Sequence, residues 1–572
     1  MTNNSDEIEL VVDQFLRSKA ENGQLFEWAV GQFVSFVGAN FAGLLPESDE
    51  NGTSSDVPLS CVSPNSLRAF FDLVSFDEND QRLIELDFWR FRLVSVWSAI
   101  LLERQSQLKK LAEATLLSIN RHFSHWSVPN DRRAEFALEK VWHHLRYFEH
   151  SAAKEALRVA SELSGIEKVE FGGALGRRTR FQQKEVPQLF LQVTLSSSQN
   201  GDGSLAPSPS ELPKNCESGD DTLLERIVFS EGSEQKVLNP VQCACVLGMA
   251  LVERHGKATA DEIRTEETTA FLEEIINQKS CWAVQFRALY ERSLLERQNR
   301  RRMERACAQL ESLGKVLDNA TPSSVILSHR LCLLFASNPT PFWTVLKWHA
   351  NVLLSLGCLS DALRIFERLQ LWEETVQCFV SLRQSEKAEA LVRRLLEQRE
   401  EPLYFCLLGD VTGDAECYQK AIRISDDKSF RARFSLAQHL LSRKQFDESM
   451  DHYSRAVQIQ PLQLTAWFNY GFAAMKCRDF QTASKAFHRC VDIDPSHFEA
   501  LNNLGASYFL MGERQRAEKI FLEAQKLNRQ NSHVLENLQI IEAEAKAKKE
   551  AEELAKNQEV IAKKGGDSSN LG

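Results

Sequence analysis

Three sets of side chains in this 572-residue sequence stand at spacings that could do chemistry. Cys243 and Cys245 form a C-x-C, which is half of a tetrahedral zinc site; the second cysteine pair that such a site needs does not follow nearby. His122 and His125 are three apart and share a helix face, with His143, His144 and His150 further on, yet no third ligand stands where it would close a metal shell. Phe171 to Lys184 holds three glycines and four basic residues, and glycines let backbone amides approach an anion. A P-loop needs G-x-x-x-x-G-K-[ST], and Gly172 and Gly176 are neither spaced nor followed in that way. A dinucleotide fold would need a strand before the glycines and alternating strands after them. The sequence instead favours a loop followed by an extended run, Val186 to Val193, docked against helices with its arginines paired to carboxylates. With no G-x-S-x-G or H-E-x-x-H either, the reading is a non-enzymatic chain with no metal and no cofactor.

The side chains left to carry function are those that could grip another polypeptide: Arg431, Gln438, Phe468, Asn469, Phe472, Lys476, Asn502 and Asn503. Their spacing has meaning because the chain repeats around them. Cut at Phe430, Leu464 and Phe498, residues 430–531 fall into three blocks of 34. Leu436, Tyr470 and Leu504 share a column, followed by Ala437, Gly471 and Gly505; Ser449, Ala483 and Ala517 share another, then Tyr453, Phe487 and Phe521, then Ala456, Cys490 and Ala524. Pro461 and Pro495 close the first two blocks, with Arg529 at that place in the third.

This is the tetratricopeptide pattern. Small residues stand where two antiparallel helices come closest, an aromatic side chain fills the gap beside them, and proline stops the second helix. One hairpin cannot bury its apolar face alone, so neighbours stack into a solenoid with a concave groove lined by the first helices. The eight residues above occupy outward positions of those helices. Phe468 and Phe472 lie one turn apart and are candidate apolar anchors; burial against the neighbouring repeat is the alternative for both.

The rest of the chain reads as helical, giving an all-α fold: an α-solenoid of tetratricopeptide-type hairpins preceded by an N-terminal helical domain. The expected parts are a helical domain over 1–168 and a Gly/Arg-rich loop with its extended segment over 169–195. A disordered Ser/Pro/Gly loop follows over 196–221, then a second helical domain over 222–340. Degenerate hairpins over 341–429 lead into regular repeats at 430–463, 464–497 and 498–531. A capping helix and charged tail close the chain over 532–572. One long helix is expected from about Trp282 to Leu313, its arginines at 297, 300, 301, 302 and 305 ion-paired on a solvated face. A net charge of −11 and pI near 5.8 argue against a phosphate-binding surface, hence against nucleic acid as partner. The polar start, the lack of a bilayer-length apolar run and thirteen scattered cysteines predict a soluble chain with reduced thiols, cytoplasmic and compatible with the nucleus.

Several segments resemble one eukaryotic family, tetratricopeptide repeat protein twenty-seven and its fungal relatives. They are Gly173 to Gln182, Arg292 to Glu296 with Glu304 to Ala306, Ile365 to Leu369 with Leu371 to Glu374, Cys406 to Thr412, and Gln463 to Gly471. The lysine-rich end departs from the family, which carries further helical repeats. The resemblance implies a non-enzymatic helical-repeat protein with partners in assembly or chaperone pathways, and the groove itself points to a scaffold or adaptor that binds an extended peptide or a helix. A co-chaperone or complex-assembly factor acting through the N-terminal domain is the alternative. Tetratricopeptide clamps that hold acidic chaperone tails place a basic residue and Asn, then Asn, then Lys and Arg on successive first helices. Here those places hold Phe434 and Gln438, then Asn469, then Glu499 and Asn503, so only Asn469 fits and Glu499 repels a carboxylate.

Overall fold

The computed structural model describes residues 30, 33, 34 and 37 and most of 82–554. The stretches 197–211, 230–236, 256–261, 319–328 and 528–533, some single residues and pairs, and everything past 554 lie outside the described set. Most of the expectations for residues 1–81, for the Ser/Pro/Gly loop and for the terminal tail therefore fall on residues that are not described. The chain divides into two units, Met1–Gln370 and Leu371–Gly572.

Helical hairpins build the first unit. α1 (Arg82–Ile100) packs on α2 (Ser106–His125), and α3 (Asn130–Arg146) on α4 (His150–Leu163). Leu108, Ala112, Leu116 and Ile119 make one apolar stripe on α2 and meet Phe91 and Phe136. Glu139 lies on the buried face of α3, where it accepts 2.9 Å from Arg92 Nε; Arg92 Nη2 also reaches Glu135 at 2.9 Å. Burial pushes the Glu139 carboxyl up, and Arg92 pulls it back. Trp142 donates its indole N–H to the Ala336 carbonyl at 2.7 Å, which ties α3 to the 3-10 turn Phe335–Ser337. The histidines serve packing and pairing: His143 is buried, and His144 Nδ1 lies 2.7 Å from Glu149. Among the described residues no group of three or more His, Cys, Asp or Glu is placed to hold a metal ion.

The Gly/Arg-rich segment corrects the expectation of a loop. It is strand β1 (Ile166–Thr179), antiparallel to β2 (Val186–Leu195) and β3 (Leu223–Phe229) in the order β2-β1-β3. Two of its three glycines answer to packing. Gly172 stands opposite Phe190, and a Cβ there would lie 2.5 Å from that ring; one on Gly176 would meet Ile227 and the Val228 carbonyl at 3.0 Å. Ile166 and Leu191 turn into the core, Phe171 packs edge-on to Phe271, and Arg178 pairs with Glu266 at 2.9 Å. The stretch 212–217, placed in the disordered loop by sequence, is docked at its described positions: Leu212 is buried, and the Cys216 N–H and the Lys214 carbonyl both bond the Gln309 amide.

α5 (Pro240–His255), α6 (Glu262–Gln278) and α7 (Trp282–Glu296) complete the main core, and Cys243 and Cys245 are buried in it as small apolar residues. The single long helix expected after Trp282 is two, α7 and α8 (Met303–Asp318). The chain turns at Asn299, whose N–H bonds the Glu296 carbonyl, and Arg305 folds back to pair with Glu296. That pair is buried rather than solvated, whereas Arg297 stacks on Trp348 at 3.9 Å. α9 (Phe342–Ser355) and α10 (Leu359–Arg368) form the first degenerate hairpin. They belong to this unit because α9 packs on α8, where Gly314 leaves room for Leu346.

The second unit is a stack of hairpins: α11 (Trp372–Ser381) with α12 (Ser385–Gln398), α13 (Pro402–Thr412) with α14 (Ala415–Ile424), α15 (Phe430–Ser442) with α16 (Phe446–Ile459), α17 (Leu464–Lys476) with α18 (Phe480–Ile493), and α19 (Phe498–Leu510) with α20 (Arg514–Leu527). The last three first helices start at Phe430, Leu464 and Phe498, and their partners at Phe446, Phe480 and Arg514, each 34 residues apart. Inside each hairpin the aromatic side chain of the second helix lies on the first helix's small residue. A Cβ on Gly471 would meet the Phe487 ring at 2.9 Å, and one on Gly505 the Phe521 ring at 2.7 Å. Gly409 under Tyr418 repeats this at 2.7 Å in a hairpin too short for the 34-residue register. A further helical stretch over 534–544 places Val534, Leu538 and Ile541 on the open face of the last hairpin.

Two predictions follow from these packings. In a helix, alanine is favoured over glycine by about 1 kcal/mol, but at Gly471 the clash with a fully buried ring opposes that and adds roughly 1–3 kcal/mol. Urea unfolding of Gly471→Ala is expected to show net destabilisation, and in a Phe487→Leu background the same change becomes neutral or stabilising. In the first unit, burial lowers the His143 pKa from 6.5 to about 4, with His144 adding to the shift. Its neutral form is the folded form, so its contribution is complete above pH 6.5 and declines as pH falls towards 4, by roughly 3 kcal/mol at most. Denaturation midpoints measured between pH 7.5 and 4.5 are expected to fall more steeply with pH for wild type than for His143→Phe, which lacks the titrating ring.

Candidate protein-interaction groove

Stacking leaves the outward positions of α13, α15, α17 and α19 on one face, and each hairpin contributes them in register. The residue after the small one is Asp410, Gln438, Phe472 and Ala506 in successive hairpins. Gln438 is exposed. Phe472 is 38% exposed, with the Lys476 ammonium 5.1 Å from its ring centre. A large ring at that exposure, held beside a cation by its own helix, suits a partner's apolar or carboxylate-bearing side chain.

The other candidates divide. Phe468, one turn before Phe472, is half-buried; its ring packs edge-on against Phe487 at 5.7 Å and on His497 at 5.4 Å. The alternative of intramolecular burial thus holds for Phe468, while Phe472 stays open. Asn469 is half-buried beside the Tyr453 hydroxyl, whose pKa burial pushes up to about 12. Asn503 is half-buried and its carbonyl accepts from Ser507 Oγ at 2.8 Å. Asn502 is half-buried too, and its Oδ1 has no hydrogen-bond partner.

Arg431 is engaged within the unit. One guanidinium nitrogen lies 2.9 Å from Glu373 on α11 and another 2.9 Å from Asp410 on α13. Tyr418 donates its hydroxyl to the other Asp410 oxygen at 2.8 Å; burial first, and then Asp410, raises its pKa. Sequence reasoning missed Glu373, Asp410 and Tyr418. The signal for two of them was there, since Gly409 and Tyr418 reproduce the pairing of Gly471 and Phe487 and put Asp410 at the Phe472 position. Glu373 had no such marker. At the far end, Glu499 is exposed with His497 3.5 Å away, and Arg514 pairs with Glu544.

The tetratricopeptide repeat family matches residues 379–463, 464–497 and 498–531. The chain is a tetratricopeptide repeat protein, of a class that serves generally as scaffolds for protein interaction. It is 33% identical over 403 residues to the tetratricopeptide repeat-containing protein trd-1 of Caenorhabditis elegans, covering 68% of this chain and 51% of that protein. To the tetratricopeptide repeat protein 27 homolog of Dictyostelium discoideum it is 28% identical over 400 residues, with 68% and 46% covered. Over that stretch it is similar to the tetratricopeptide repeat protein 27 family. The chain spans about half the length of these curated relatives. Among solved structures, a MamA fragment from Desulfovibrio magneticus matches 28% of this chain and 96% of its own at 19% identity, TM-score 0.24. Among the described residues no helix is long and apolar enough to cross a membrane.

The two phenylalanines give a test of this division of roles. Phe468→Ala removes a ring packed on Phe487 and is expected to destabilise by roughly 1–3 kcal/mol; Phe472→Ala is expected to stay within about 0.5 kcal/mol of wild type. Thermal or urea unfolding of the two single variants checks this.

Proposed function

We propose that the chain is an adaptor that grips a partner polypeptide along the first-helix face of residues 402–510. The observation that carries it is the exposed Phe472–Lys476 pair at the middle of the array. Around it the face offers half-buried Phe434 and Phe509 as further apolar surface beside exposed Gln438, a pattern suited to an extended segment or an amphipathic helix with alternating apolar and polar side chains. The twelve described cysteines carry free thiols, which supports a reducing compartment such as the cytoplasm.

A chaperone-tail clamp is not the mode this face supports. Asn469 is half-buried beside Tyr453, Arg431 is already matched by two carboxylates, and Glu499 stands where a cation is needed. A co-chaperone role would therefore run through other surfaces of the chain.

The test is a pull-down from cell extract with the full chain, comparing wild type with Phe472→Ala/Lys476→Ala, each verified as folded by circular dichroism. Selective loss of the main partners in the double variant is the expected result, and an unchanged partner set sinks the reading. In parallel, an acidic peptide with a free C-terminal carboxylate, titrated by fluorescence polarisation, is expected to show no micromolar binding.

A further inference from the structure

The first unit holds a cavity of about 210 Å³ between α1, α3 and the segment 335–339. Its walls carry unmet polar demand. Ser95 Oγ, Glu139 Oε2, His143 Nε2 and Arg146 Nε are all buried without a hydrogen-bond partner, and all four residues line this cavity. The neighbouring cavity beside Trp89 and Cys332 has no such atom on its lining. Buried polar atoms are ordinarily satisfied, so four orphans around one void mark a place where something else supplies the partners.

The charge around the void gives that partner its sign. Three guanidiniums line it: Arg92, Arg104 and Arg146. Arg92 is matched by Glu135 and Glu139. Arg104 lies 3.9 Å over the Phe148 ring, and Arg146 gives one N–H to the Leu101 carbonyl at 3.0 Å; neither has a carboxylate partner among the described residues. Burial lowers the Arg146 pKa, and its neighbour Arg104 lowers it further. Two neighbouring guanidiniums without counter-charge are an arrangement that an oxyanion relieves through charge-assisted hydrogen bonds. The remaining wall is mixed: Trp142, Leu145, Phe148 and Phe335 give it an apolar side, and Ser98, His255 and Asn338 add polar groups. A void of roughly 150 Å³ accepts benzene, so this one has room for a ring and a head group and not for a folded partner.

We infer that this cavity binds a small organic oxyanion, a carboxylate or phosphate monoester on an apolar body, with the head group on Arg104 and Arg146 and the body against Phe148 and Trp142. Glu139 sits on the opposite charge logic and keeps the head group at the Arg104 end. The site stands on the first unit alone and is independent of the groove.

Isothermal titration of the full chain with phenyl phosphate, benzoate and inorganic phosphate tests it. Phenyl phosphate or benzoate is expected to bind with Kd below roughly 1 mM and inorganic phosphate more weakly, since it lacks the body. Arg104 is exposed, so Arg104→Ala keeps the fold and is expected to weaken binding about tenfold, the loss of one charge-assisted contact. Lys154→Ala, on an exposed face of α4, is expected to change nothing. Absence of binding by both organic probes overturns the site. So does wild-type affinity in both Arg104→Ala and Arg146→Gln. Inorganic phosphate binding as tightly as phenyl phosphate overturns the ligand class.

Discussion

The second unit depends on one contact made over and over: an aromatic ring from the second helix of a hairpin lying flat on backbone of the first. Phe487 over Gly471 and Phe521 over Gly505 leave no space for a methyl group, and both rings are buried. The contact fixes how near the two helices come, and the distance within one hairpin sets where its outer face meets the next. In the hairpin of α15 and α16 the small residue is Ala437, and Ser449 adds a hydrogen bond from its hydroxyl to the Ala437 carbonyl at 2.8 Å. Side-chain chemistry varies while the spacing is kept, which is how a solenoid can carry different residues on its groove without changing its curvature.

That contact is also why this half of the molecule was legible. A rule that needs a small residue and an aromatic at fixed offsets writes itself into the sequence as columns, and helix starts at Phe430, Leu464 and Phe498 are where the columns put them. The first unit obeys no such rule. Its helices meet through long-range pairs, Arg92 with Glu139 and Trp142 with Ala336, whose partners lie 47 and 194 residues apart. No periodic pattern announces a contact of that kind. Gly172 shows the cost of reading composition instead: its glycine-and-arginine surroundings suggest a loop, whereas the residue is small because Phe190 crosses it on the neighbouring strand. Asn299 makes a related point for helices: Glu296 to Arg302 holds no apolar residue, and the chain folds back there so that Arg305 can reach Glu296.

The groove was legible as a place and not as a set of interactions. Helical geometry says which side chains point outward, so Gln438, Phe472 and Lys476 could be named from spacing alone. Whether an outward side chain is free depends on what the adjacent hairpin brings, and that hairpin is where the register breaks. The α13–α14 hairpin is seven residues shorter between its small and aromatic positions than the regular ones (Gly409 to Tyr418 against Gly471 to Phe487). It nevertheless delivers Asp410 to Arg431, and α11 delivers Glu373 to the same guanidinium. The cation that spacing assigned to a partner is thereby held within the chain.

This internal pairing shapes what the groove can hold. With Arg431 matched and Glu499 exposed, Lys476 near the centre of the face has no carboxylate partner among the described residues, and it sits on a ring. A partner gains little there from a second negative charge, because Arg431 is already paired and Glu499 repels it. It gains more by covering Phe472 and removing that ring from water, where apolar area contributes about 25 cal/mol for each Å² buried. Affinity on this surface is therefore set by shape and apolar cover around one aromatic side chain, with charge deciding the orientation of what binds.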